Sequence, residues 1–131
     1  MTGLATAMLF GLVLWGSVPG VMPGSGDSCG FISDADLRSY CRSDCGFISD
    51  SDLRNFCRND CGFISDADLR SYCRKECGFI TNADLRSHCR GDCGFISDAD
   101  LRSYCRKECG FISSADLRYL CESGRPYPGR R

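Results

Sequence analysis

The stretch Cys29-Gly-Phe-Ile-Ser-Asp-Ala-Asp-Leu-Arg-Ser-Tyr-Cys-Arg-Ser-Asp44 decides how the rest of the chain is read, because it returns five more times with small changes. The copies begin at Cys45, Cys61, Cys77, Cys93 and Cys109, a strict period of 16 residues. A fixed period of this kind marks a repeat architecture, in which each unit buries its apolar side against its neighbours. Eight positions are the same in all six units: both cysteines, the Gly-Phe-Ile after the first of them, and the residues equivalent to Asp36, Leu37 and Arg38. Units 61–76 and 93–108 are identical, as recent block duplication leaves them, so sameness within the chain carries physics but not selection.

Within a unit the local chemistry predicts one short helix. Ser33 is the expected N-cap, with Asp36 three residues later reaching back to its N–H as a capping box. Ser49, Ser65, Thr81, Ser97 and Ser113 repeat the cap. Ile32 before the cap and Leu37 after it have staple spacing. The helix should run about ten residues, from Asp34 toward Asp44 or Cys45, with Gly46 as its left-handed C-terminal cap. Isolated helices shorter than about 12–15 residues are marginal in water, so cross-links and neighbours must supply the remaining stability.

Twelve cysteines in 131 residues supply them and place the chain among disulfide scaffolds. The array runs from Cys29 to Cys121 and divides without remainder into six Cys-x11-Cys modules joined by three-residue linkers. Pairing Cys29–Cys41, Cys45–Cys57, Cys61–Cys73, Cys77–Cys89, Cys93–Cys105 and Cys109–Cys121 uses every thiol, and each closed loop is worth roughly 3 kcal/mol in the chain-entropy model. Reach is tight. Cys41 lies about 12 Å along a helix capped at Ser33, and the four steps from Cys29 to Ser33 span at most about 14 Å. The Gly-Phe-Ile strap would then run extended and antiparallel to its helix, and repetition would stack the coils as a small solenoid.

A second arrangement is open. The Cys-x3-Cys…Cys-x3-Cys spacing formed by Cys41, Cys45, Cys57 and Cys61 is similar to that of the α-hairpinin peptides. That resemblance covers the cysteines alone, and it implies antiparallel helix pairs cross-linked 41–61 and 45–57.

The expected fold is therefore small, disulfide-rich and mainly α, with six tandem 16-residue short-helix repeats arranged as a solenoid or as helical hairpins. Ahead of it, Leu4 to Val18 is an apolar run, and every charged side chain lies at or after Asp27. The run is short for a spanning helix and is followed by small residues and prolines, which reads as a signal peptide over 1–20 cleaved after Gly20. Residues 21–28 then form a short linker, 29–121 the array, and 122–131 a basic Pro/Gly tail. A cleaved signal and an even cysteine count predict a secreted, extracellular protein with no membrane association after cleavage. Sixteen Lys and Arg alternate with seventeen Asp and Glu for a net charge of −1, which gives no basic stripe for nucleic acid.

Catalysis needs a singular constellation, and the chain has almost nothing singular. His88 is the sole histidine and stands where other units carry Tyr, Phe or Leu. No acid–base pair is built on it, so no enzyme activity and no cofactor are expected. The cysteine spacing is unlike zinc knuckles, and the aspartates do not fall in the register of an EF-hand loop. Two motifs remain. Arg90-Gly91-Asp92, in one of the linkers, resembles an integrin ligand, which implies adhesion through an exposed Arg and Asp that point apart. Arg74-Lys75 and Arg106-Lys107 are dibasic, and Gly129-Arg130-Arg131 looks like an amidation signal; such features are similar to those of multi-copy peptide precursors. The leading expectation is a non-catalytic extracellular binding or structural module meeting an extracellular protein or receptor, its repeated surface favouring avidity. A secreted precursor of Cys-x11-Cys cyclic peptides is the alternative, and a young tandem duplication without a specialised role is the third.

Overall fold

In the computed structural model of the chain, residues 28–129 are described. The signal-peptide and linker expectations over 1–27, and Arg130 and Arg131, lie outside them. Each repeat contributes one helix: α1 Ala35–Cys41, α2 Ser51–Arg58, α3 Ala67–Cys73, α4 Ala83–Arg90, α5 Ala99–Arg106 and α6 Ala115–Ser123. Single 3-10 turns at Cys45–Phe47, Cys61–Phe63, Cys77–Phe79, Cys93–Phe95 and Cys109–Phe111 precede the last five. Among the described residues no helix is long and apolar enough to cross a membrane.

All twelve cysteines pair within their own units, 29–41, 45–57, 61–73, 77–89, 93–105 and 109–121, each with Cα atoms 5.6 Å apart. The hairpin cross-links 41–61 and 45–57 are thereby excluded. The strap is not fully extended, because the helix begins one residue later than a Ser33 cap requires. Asp34, not Ser33, is the N-cap, and its carboxylate accepts from the Leu37 N–H at 3.0 Å. Asp50, Asp66, Asn82, Asp98 and Ser114 cap the other helices. Asp, Asn and Ser are all good N-caps, which is why this position tolerates exchange. With the cap at Asp34 the strap gains a step, and the slack is taken up by the tight Cys-Gly-Phe turn. Ile48 and its equivalents are extended, at φ −81° and ψ 125° in the second unit.

The helices also end earlier than expected. Ser43, Asn59, Lys75, Gly91 and Lys107 take the left-handed conformation, at φ between 60° and 77°. The next residue's N–H then reaches back five places, as Asp44 does to Ser39 at 2.9 Å. This is the Schellman closure, with a non-glycine residue in four of its five cases. Gly46 instead sits inside a 3-10 turn.

Two apolar side chains of every unit are buried in the core, together with Tyr40, Tyr104, Leu120 and Tyr127. The six isoleucines equivalent to Ile32 are 1–2% exposed and the six leucines equivalent to Leu37 are 1–7% exposed. The arginine that follows each leucine ties helix to strap: Arg38 donates from Nη1 to the Ile32 carbonyl at 2.7 Å, and Arg54, Arg70, Arg86, Arg102 and Arg118 do the same in their units.

What joins unit to unit is the aspartate whose spacing predicts half of a capping box. Asp36 turns to the next unit, where it accepts from the Ser49 N–H, the Ser49 hydroxyl and the Asp50 N–H at 2.9, 2.9 and 3.1 Å. Asp52, Asp68, Asp84 and Asp100 repeat the clamp on Ser65, Thr81, Ser97 and Ser113. The series does not stop at the sixth unit. Asp116 accepts from Ser33 and Asp34 of the first unit at 2.8, 2.9 and 3.0 Å, and α1 packs against α6. The array is thus a closed ring of six units, each turning about 60°, and not an open solenoid.

Candidate functional site

The closed ring has an inside and an outside, and each carries an unusual surface. Inside, the position equivalent to Tyr40 lines the lumen with Tyr40, Phe56, Tyr72, His88, Tyr104 and Leu120. Neighbouring rings of the first five stand 5.6–6.4 Å apart, centre to centre. The chain beyond α6 turns at Gly124, left-handed at φ 85°, and passes into this lumen. Tyr104 donates its hydroxyl to the Arg125 carbonyl, Tyr40 to that of Pro126 at 2.8 Å and Tyr72 to that of Tyr127 at 2.9 Å. Arg125 lays its guanidinium over the Tyr40 ring at 4.4 Å, and the Tyr127 ring meets His88 and Tyr104 edge-on at 5.4 and 5.6 Å. Pro128 is fully buried. Gly129, at φ 86°, lies where a Cβ would run into Leu69.

A hollow lined by Tyr40, Tyr72, His88 and Pro126 opens beside the C-terminal halves of the helices, and a second, lined by Asp66, Asp84, Asp98 and Gly129, beside their N-terminal ends. The tail therefore enters where the helices finish and emerges where they begin. Burial pushes the Tyr40 phenol up to about 12 and raises Tyr72 and Tyr104 further, so all three stay protonated donors at neutral pH. Burial, followed by the charge of Lys107, lowers the His88 imidazole, and its Nδ1 is buried without a hydrogen-bond partner. The one histidine of the repeat series is a lumen wall against Tyr127.

Outside, the six phenylalanines stand exposed. Phe47, Phe63, Phe79, Phe95 and Phe111 are 75–82% accessible, and Phe31 is 66% accessible because it stacks on Tyr119 at 5.4 Å. Large apolar side chains are seldom presented this openly, and here every unit does it. Of the eight unvarying positions, six have an internal duty: the cysteines close the unit, Ile and Leu fill the core, Asp clamps the next unit and Arg ties the strap. Gly-Phe has none. At Gly30, Gly46, Gly62 and Gly94 an added Cβ would meet only an arginine guanidinium, at 3.7–4.0 Å, and at Gly78 and Gly110 nothing within 4 Å. The last five tips are nonetheless held firmly, because each of their 3-10 turns starts on a disulfide-bonded cysteine. That these phenylalanines face outward cannot be read from a motif two residues long.

The remaining sequence candidates are scattered around the rim. Arg90 ends α4, Gly91 is its left-handed cap and Asp92 precedes the next 3-10 turn, all three exposed. The tripeptide therefore turns out of the helix, with Gly91 at a φ of 77° that favours glycine. Arg74, Lys75, Arg106 and Lys107 are exposed in the same kind of turn. No thiol is free, and among the described residues no group of His, Cys, Asp and Glu could hold a metal ion. No protein-family model, curated protein or solved structure matches the chain.

Proposed function

We propose that the protein is a secreted, non-catalytic binding module that meets extracellular proteins through the six phenylalanine tips of its ring. The observation that carries this reading is the openness of those tips, five of them at least 75% accessible. A rigid tip has already lost its conformational freedom, so little is lost again on contact. Six equivalent tips on one ring make each further contact an intramolecular event, which raises avidity without requiring a strong single site. Six disulfides suit the oxidising conditions outside the cell.

The test is attachment of labelled protein to cell-surface and matrix preparations, with Phe→Ser introduced at one, three and all six tips. Attachment should fall more steeply than in proportion to the number of tips removed. A six-fold variant that folds and attaches like the unaltered ring would overturn the proposal. Asp92→Glu serves as the internal control: loss of attachment in that variant alone assigns adhesion to the Arg-Gly-Asp turn instead.

One observation favours the precursor reading as the alternative. Each disulfide closes within its own unit, so cuts in the linkers would release intact cyclic peptides. The clamps between units and the buried Pro128 are features such a precursor does not require. Mass spectrometry of the secreted product decides between them, through one intact species or fragments ending at Cys73 and Cys105.

A further inference from the structure

The lumen wall follows a geometric rule. Tyrosines occupy units one, three and five, as Tyr40, Tyr72 and Tyr104, whereas Phe56, His88 and Leu120 occupy the units between. Alternate units of a six-unit ring lie one-third of a turn apart. Three successive carbonyls of the tail are taken in order around that triangle: Arg125 by Tyr104 of the fifth unit, Pro126 by Tyr40 of the first and Tyr127 by Tyr72 of the third. One residue per third of a turn is the periodicity of the polyproline II helix, whose carbonyls have no internal partners and face outward. The tail sequence favours that conformation. Pro126 and Pro128 have fixed φ, and Arg125 and Tyr127, each preceding a proline, are held out of the α region. Side chains add register: the Arg125 guanidinium lies on Tyr40, and Tyr127 lies between His88 and Tyr104.

We propose that the lumen is a recognition site for proline-rich peptides in the polyproline II conformation, of the form Arg-Pro-aromatic-Pro, and that residues 125–128 are its built-in occupant. Backbone carbonyls are read by the tyrosine triangle and side chains by the aromatic wall. A ring closed at every seam does not part to admit a folded surface, so the site selects an extended chain entering end-on. The tether at Gly124 keeps the tail at a high effective concentration, and an outside peptide binds when the tail's own contacts are weakened.

The test uses the full chain carrying Pro126→Ala and Tyr127→Ala, titrated with the labelled synthetic peptide Arg-Pro-Tyr-Pro-Gly and followed by fluorescence anisotropy. Saturable binding is expected, at least about tenfold tighter than to the scrambled Pro-Gly-Tyr-Arg-Pro. Adding Tyr72→Phe, which removes one donor of the triangle, should weaken it by about three- to tenfold, the ordinary effect of one lost hydrogen bond. No saturable binding up to about 1 mM peptide, a concentration typical of short tethers, by a variant with an unchanged circular dichroism spectrum would overturn the proposal. Equal affinity for the two peptides would also overturn it. Should the double variant fail to fold, Tyr127→Ala alone, which keeps both prolines, is titrated in the same way and judged by the same outcomes.

Discussion

Replacing Asp116 by alanine tests whether the ring is closed in solution. In an open array of six units, Asp116 would belong to the terminal repeat with no successor to clamp, and its loss would fall within the ±0.5 kcal/mol or so of an ordinary surface substitution. In the ring it holds three donors of the first unit, the Ser33 N–H, the Ser33 hydroxyl and the Asp34 N–H, at 2.8, 2.9 and 3.0 Å. Hydrogen bonds contribute about 0.5–1.5 kcal/mol each, more when one partner is charged. The site is largely solvent-accessible, and screening takes it toward the lower end. A loss of about 2 kcal/mol follows for the three donors. Asp68→Ala, which removes the equivalent clamp on Thr81 and Asn82 in mid-array, should cost the same within about 0.5 kcal/mol. Guanidinium unfolding under non-reducing conditions, followed by far-ultraviolet circular dichroism, measures both. An Asp116→Ala variant as stable as the unaltered chain, beside a destabilised Asp68→Ala, would refute closure.

Two further perturbations follow from the same contacts. Hydrogen bonds from the next unit's backbone hold the carboxyls of Asp36, Asp68 and Asp84 below the ordinary 3.8, so their stabilisation is complete above that pH and is lost as the pH falls through the folded values. The lowered His88 adds an earlier step, because the unfolded chain takes up its proton first as the pH drops below 6.5. A melting-temperature profile should therefore decline in two stages, and His88→Phe should abolish the upper one. At the helix ends, Lys75→Gly relieves a left-handed φ of 62° and should raise stability by about 0.5–1 kcal/mol, with Gly91→Lys lowering it by a similar amount. Chemical denaturation checks the pair, and equal effects of the same sign would contradict the caps.

Much of a single unit is legible in its sixteen residues. Helix, apolar pair and disulfide all follow from contacts less than 13 residues apart, and the ends of the array favour the pairing of cysteines that the fold adopts. The cap is misplaced by one residue because Ser33 and Asp34 are both good N-caps and sequence alone does not rank them. Asp36 misleads for a related reason. A carboxylate three residues after a serine satisfies a capping box, yet the same carboxylate reaches the serine of the next unit equally well, and the Asp34 cap leaves that partner free to be taken. With Asp36 turned to the next unit, closure becomes a matter of how far each clamp rotates its neighbour. No single unit encodes that angle, so Asp116 meeting Ser33 across 83 residues has no local signal.

The lumen shows why near-identity of repeats and a specific binding site are compatible. A ring of six identical units presents six-fold symmetry, and a single peptide passing along its axis has none, so identical walls would hold it in six equivalent rotations. Discrimination requires differences between units, and they need fall only where the peptide touches. The fourth residue after each N-cap-clamping aspartate is that place: Tyr40, Phe56, Tyr72, His88, Tyr104 and Leu120 are the most varied apolar series in the array. Alternating donors reduce six rotations to the three that match a polyproline II backbone. The unequal fillers His88 and Leu120, with Arg125 settled on Tyr40 and not on Tyr72 or Tyr104, choose one of those three. Substitutions that read as decay of a repeat are those that a symmetric ring needs in order to hold an asymmetric chain in one register.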